Sequence, residues 1–338
     1  MSIDRVSSTV MAAVGAGHRL SPRLRTPMLH RFGTLLACVL LVAIVATLNP
    51  AFLSAINVAN MLSQWAPAGI MAVGMTLVVI VGGFDLSIAS IYSLCAVAAA
   101  LLGQHHSATF AFAGATAAGV LAGVCNATLS VGLRINPYIA TVGSGFVITG
   151  ISLVLTQNTA IFVTSDTFGI LGAERWHGFP ISGLLFLCIA TGSGIALKYT
   201  IFGHMAYAVG GNAEASKLSG IPINVVRAGT YLILGACCGI AGFISASQLN
   251  SAQSTVDAGI LFDVATIVVL GGNSFGGGVG SIWQTMVGLV MVATISNGFV
   301  MLDISPFYQS LFKGIIIIAA LTLDSVLKGA NSGRSQPP

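Results

Sequence analysis

The chain has 338 residues, of which 55% are hydrophobic and only 7% charged, with a net charge of +4. A soluble domain carries about 25% charged residues, so a polytopic membrane protein is the class that remains. The positive balance is not a nucleic-acid footprint, because the basic residues fall in the termini and in loops between apolar runs.

Residues 1–31 form a polar, basic tail with no apolar core and no cleavage signature before Gly33, so the first apolar run is expected to act as an uncleaved signal-anchor. A bilayer demands helices of about 20 residues. Apolar runs suited to that length lie at 33–48, 58–81, 88–102, 108–131, 137–156, 181–197, 228–247, 260–271, 281–301 and 306–323. The predicted fold is all-α: a membrane domain over 32–324 with about ten transmembrane helices, some broken or re-entrant, and a tail over 325–338. The run at 260–271 is short and reads equally as a re-entrant hairpin. Ten passes leave both termini on one face. Arg5, Arg19, Arg23, Arg25, Arg31, Arg134, Lys198, Lys217, Arg227, Lys328 and Arg334 then share that face, while Arg175 falls opposite and Lys313 lies within a span. The positive-inside rule makes that face, both tails and the loop 198–227 cytoplasmic.

Two places interrupt the apolar pattern. In the first, Gly82 and Gly83 end an apolar run and are followed by Phe84, Asp85, Leu86 and Ser87. Asp85 is the one charge between residues 32 and 133. In the second, Gly271 and Gly272 precede Asn273, Ser274, Phe275 and three further glycines. Interrupted hydrophobic segments point to a transport route, because non-helical backbone at membrane depth survives where it lines a cavity or is buried. The first site is favoured as functional because intramembrane charge is costly; the second reads equally as a surface turn. Asp85 has three candidate roles: an ion pair with Lys313, a cap for the next half-helix with Ser87 nearby, and direct contact with solute.

The loop 198–227 is a long polar interruption between apolar runs. Its residues 213–219, with Glu214, Ala215 and Ser216, read as a short helix preceded by Gly211-Asn212 and stopped by Gly220, with Pro222 barring continuation. A short helix held between spans suits docking of a soluble partner. After the seventh run, Gln248, Asn250, Ser251, Gln253 and Ser254 offer uncharged hydrogen-bonding groups on the external side, which suit a hydroxyl-rich solute or a water-facing loop. Asn126, Asn297 and Gln309 are amides within or near spans that either line a route or join helices. GxxxG spacing at Gly119/Gly123 and Gly235/Gly239 predicts close packing within the chain rather than dimerisation. All six cysteines lie in apolar runs and read as small buried hydrophobes. His105-His106 lacks further ligands, so no metal or cofactor is expected. No catalytic motif appears, so the chain is not expected to be an enzyme.

The stretches GMTLVVIVGGFDLSIAS, PYIATVG, GNAEASKLSGI and LNSAQSTVDAGILFDVATIVVLGGNSFGGGVGSIWQT occur in this order. Together they resemble the permease subunits of ABC importers for monosaccharides, the ribose, xylose and galactose branch, over about residues 33–324. The resemblance implies that Glu214, Ala215, Ser216 and Gly220 form the ATPase-coupling loop, with Ser216 replacing a usual Ala. Phe84 stands for a usual aliphatic residue and Ala89 for a usual Gly, departures that bear on the substrate rather than on transport. Gly82, Gly83, Asp85, Ser87, Asn250, Gln253 and Asn297 are the candidate residues of the translocation pathway. The implied partners are an ATP-binding ABC subunit, a periplasmic sugar-binding protein, a second permease copy as homo- or heterodimer, a monosaccharide and the lipid of the bacterial inner membrane. ATP hydrolysis would belong to the separate subunit. The rival readings are a branched-chain amino acid or autoinducer importer permease, and an ion-coupled secondary transporter. The last needs more intramembrane carboxylates than Asp85 and Asp263 supply.

Overall fold

The computed structural model describes residues 26–254 and 259–305 continuously, and positions 307, 308, 311, 312, 314, 315, 318 and 322 beyond them. Lys313, Gln309, the C-terminal tail, most of the N-terminal tail and much of the expected last span lie outside the described residues. The described chain is a helical membrane protein. Its helices are α1 (Thr26–Leu48), α2 (Ala55–Ile80), α3 (Ile88–Gly103), α4 (Ala108–Ala127), α5 (Pro137–Thr156) and the short α6 (Ile170–Ala173). They continue as α7 (Ile181–Tyr199), α8 (Ile201–Gly211), α9 (Ala213–Leu218), α10 (Ile223–Leu249), α11 (Gly259–Leu270) and α12 (Ile282–Met301).

Among the described residues, six helices are long and apolar enough to cross a membrane: Ala55–Ile80, Ala108–Gly132, Pro137–Thr156, Ile181–Tyr199, Ile223–Leu249 and Ile282–Met301. Shorter apolar helices occupy Gly33–Leu48, Ile88–Gly103 and Gly259–Leu270. The 12 residues of α11 rise only about 18 Å, short of the ~30 Å hydrocarbon core. The described helix is thus as short as the run at 260–271, for which a span and a re-entrant hairpin are both expected readings. The region 198–227 is also more ordered than expected: α8 fills its first half, and α10 begins at Ile223, so Arg227 is helical. The apolar character of Ile201–Gly211 explains this, since a helix with one packed face forms where Gly203, Ala206 and Val209 are buried.

At the centre lies α2, whose residues 65–80 are buried throughout, with α10 packed against α4, α2 and α3. The α4–α10 contact is backbone on backbone. A Cβ on Gly119 would stand 2.1 Å from the Gly235 carbonyl oxygen, and one on Gly235 would stand 2.2 Å from that of Gly119. The two GxxxG pairs thus face each other inside one chain. Four of the cysteines are buried, but Cys125 and Cys188 are exposed. An apolar run on a membrane helix has an outward face as well as an inward one, and these two thiols lie on it.

At one end, the segment 157–180 folds back over α10. Ile161–Phe162 (β1) pairs antiparallel with Ser251–Ala252 (β4), and Arg175–Trp176 (β2) with Phe179–Pro180 (β3). Ser247 donates its hydroxyl to the Phe168 carbonyl and accepts the Gly172 N–H, which locks α6 onto the end of α10.

Candidate functional site

Both Gly-Gly interruptions are helix stops of one kind. After α2, the Gly83 N–H reaches the Val78 carbonyl and the Gly82 N–H reaches that of Val79, with Gly82 at φ +81°. After α11, the Asn273 N–H reaches Val268 and the Gly272 N–H reaches Val269, with Gly272 at φ +95°. This paired 6→1 and 5→2 closure satisfies the last carbonyls of a helix and needs a left-handed residue, which glycine supplies without strain. Gly220 ends α9 in the same way, at φ +78°, with Ile221 N–H on the Ser216 carbonyl and Gly220 N–H on that of Lys217.

Asp85 sits in the turn after the first stop, 1% exposed. Its Oδ1 accepts the Ser87 N–H at 2.8 Å and the Ser87 hydroxyl, and its Oδ2 accepts the Asn126 amide at 2.8 Å. Asn126, from α4, also donates to Ser87 Oγ and accepts the Ser144 hydroxyl from α5. The Leu86 N–H donates to Thr141 Oγ1 on α5. A buried carboxylate is tolerated when its lone pairs are filled by donors, and here one turn and one amide fill them. Asp85 binds the backbone of Ser87 rather than capping α3 as its N-cap, which is Ser87 itself, without a side-chain cap bond.

The remaining pathway candidates are elsewhere. Asn250 closes α10 in a left-handed conformation, and its carbonyl accepts the Val163 N–H, so segment 157–180 holds it. Gln253 is exposed beside the buried Ser254, and Ser93 donates its hydroxyl to the carbonyl of each. Asn297 forms a reciprocal amide pair with Asn57 at 2.9 and 3.1 Å, joining α12 to α2. Apart from Asn297, the candidates therefore form two groups. Gly82, Gly83, Asp85 and Ser87 lie together at the end of α2, and Asn250 and Gln253 lie at the far end of α10, where the chain meets segment 157–180.

In the segment expected to dock a partner, Asn212 caps α9 by accepting the Ala215 N–H. Ser216 is 5% exposed and turned inward, while Leu218, which the sequence reading passed over, is 90% exposed. Glu214, Ala215, Lys217 and Leu218 make up the outward face.

A family model described as "Branched-chain amino acid transport system / permease component" matches residues 57–321. The chain belongs to that family. It is 36% identical over 301 residues to the ribose import permease protein RbsC of Escherichia coli (strain K12), covering 86% of this chain and 92% of that one. It is 34% identical over 300 residues to RbsC of Bacillus subtilis (strain 168), covering 88% and 93%. It is also 30% identical over 301 residues to the L-arabinose ABC transporter permease protein AraH of Azospirillum brasilense, covering 88% of each. No solved structure matches. Within this permease chain, the matched segment takes in both helix stops, the Asp85–Asn126 cluster and the outward face of α9. Two features escaped the sequence reading. The partner of Asn297 is Asn57, 240 positions away, and nothing in either local pattern names the other. The buried face of α9 also escaped it, because six residues are too few to fix the phase of a helix.

Proposed function

We propose that this chain is the permease subunit of an ATP-driven ABC importer and forms the route of a monosaccharide, an aldopentose or related polyol, across the bacterial inner membrane. The observation that carries the reading is the identity of about a third, over nearly whole chains, with ribose and L-arabinose permeases. The short helix α9 supports it, with Leu218 as an exposed apolar knob beside the charges of Glu214 and Lys217. Such a face suits a groove on a cytoplasmic ATPase subunit, where a desolvated apolar anchor contributes more than rim charges. A periplasmic sugar-binding protein and a second permease copy complete the assembly, and the ATPase subunit hydrolyses the ATP. The family description names branched-chain amino acids, so competition decides the substrate class. Uptake of labelled ribose or arabinose should need ATP, survive a protonophore and resist excess leucine; leucine-sensitive or protonophore-sensitive uptake rejects the proposal.

Sidedness has its own test. In a cysteine-free variant that retains transport, Leu218→Cys should react with an impermeant thiol reagent from the cytoplasmic side alone. Thr167→Cys, exposed in the 157–180 segment, should react from outside alone. Ser216, being buried, is the wrong probe. Reversed labelling overturns the orientation.

Coupling depends on the stop at Gly220. No atom stands within 4 Å of a Cβ there, so Gly220→Val is penalised by its backbone angle rather than by a clash. A left-handed L-residue costs roughly 1–2 kcal/mol, and a β-branched one lies at the upper end. Membrane abundance should hold while ATPase co-purification and uptake fall; undiminished uptake shows that α9 is not the docking helix.

A further inference from the structure

The docking element and the two helix stops meet at one point. The helix α8 runs directly into α9 through the single residue Asn212. The last turn of α8 lies against the end of α2 and the turn after α11, with no side chain between them. A Cβ on Gly210 would stand 1.8 Å from the Ile80 carbonyl oxygen and 2.5 Å from the Gly278 nitrogen. The Gly278 N–H donates to that same Ile80 carbonyl at 2.8 Å. A Cβ on Gly277 would come within 2.9 Å of the Gly210 carbonyl oxygen and 3.0 Å of Gly82 Cα. Tyr207, one turn back on α8, donates its hydroxyl to the Gly280 carbonyl at 2.8 Å. The two turns are joined again by Phe84 and Phe275, edge to face with centroids 5.2 Å apart.

Each turn leads onward into the bundle. From Gly82 the chain passes to Asp85 and so to α4 and α5. From Gly280 it passes to Ser281, whose N–H donates to Asn273 Oδ1, and Asn273 in turn donates to Thr285 on α12. Thr285 bonds Thr76 on α2 at 2.6 Å. Backbone in van der Waals contact has no rotamer with which to absorb a displacement, so close-packed segments move together.

Resting on the importer reading above, we propose that the Tyr207–Gly210 turn of α8 is the transmission point through which displacement of the docking helix α9 reaches both helix stops at once. Tyr207 and Gly210 are positioning residues: neither needs to touch the sugar or ATP. The junction sets the ratio of sugar moved to ATP consumed, rather than assembly or hydrolysis as such.

The test uses the complete complex of permease, ATPase subunit and binding protein in proteoliposomes, with labelled ribose or arabinose, whichever the wild type transports. ATP hydrolysis, sugar uptake and subunit co-purification are measured together. Tyr207→Phe removes the hydrogen bond to Gly280 and keeps the ring; Gly210→Ala forces the turns apart. Tyr207→Phe should retain co-purification and hydrolysis, while sugar moved per ATP falls about two- to thirtyfold, the range of coupling changes from single substitutions on such networks. Should Gly210→Ala not assemble, Tyr207→Phe decides alone. An unchanged ratio in Tyr207→Phe, or a parallel loss of hydrolysis and uptake, overturns the junction. A wild-type chain that neither binds an ATPase subunit nor supports ATP-dependent uptake overturns the importer reading instead.

Discussion

Gly119→Ala or Gly235→Ala should each sharply reduce the amount of folded protein recovered from the membrane, although one methyl group is added. The new Cβ would meet the facing carbonyl at 2.1 or 2.2 Å, well inside contact distance. The obstacle is backbone on both sides, so no side chain can turn away. The helices must separate, and α10 cannot retreat, because it packs on α2 and α3 as well as on α4. Overpacking that side chains can absorb costs about 1–3 kcal/mol, and a shift of a central helix exceeds it. Small residues set helix approach in lipid because dispersion, with no hydrophobic drive between helices, must hold them together. Gly192→Ala is the control, since nothing lies within 4 Å of its Cβ. Detergent-extracted protein should show a large fall in monodisperse yield and melting temperature for the first two variants and none for the control. Equal behaviour of all three removes the argument.

What the sequence revealed follows from how local each signal is. The stops at Gly82 and Gly220 were legible because left-handed backbone leaves a residue signature at the site itself. The glycines at 119, 123, 235 and 239 announced close contact, and the structure supplies the pairing. Long-range partners were not legible. Phe84, noted as a departure from an aliphatic residue, meets Phe275 edge to face, a contact that no local pattern contains. The region 198–227 was misread because its few charges outweighed the apolar face of Ile201–Gly211. The residues proposed for one route lie at two ends of α10 and α2, and spacing along a chain of long helices cannot reveal that.

Asp85→Leu should be far more damaging than Asp85→Asn. Leucine removes both carboxylate oxygens and strands the Ser87 N–H and hydroxyl and one hydrogen of the Asn126 amide, all in a buried site. Each stranded donor costs about 1–3 kcal/mol, so the turn between α2 and α3 should lose its fixed form, and uptake with it. Asparagine keeps an oxygen for Ser87. Its amide nitrogen would oppose Asn126 Nδ2, but rotation of the Asn126 amide presents an oxygen instead, and Ser144 can accept the hydrogen it now faces. A modest loss of melting temperature with uptake largely preserved is the expected result. Asn126→Leu should resemble Asp85→Leu, and the double variant should cost less than the sum, by an interaction of about 0.5–3 kcal/mol for groups in direct contact. Additive losses would show that the two side chains act separately. If Asp85→Asn proves as harmful as Asp85→Leu, the charge itself is required, and the hydrogen-bonded turn is not the reason Asp85 is there. A charge swap with Lys313 is then the decisive experiment, since restored uptake would assign Asp85 an ionic partner that lies outside the described residues.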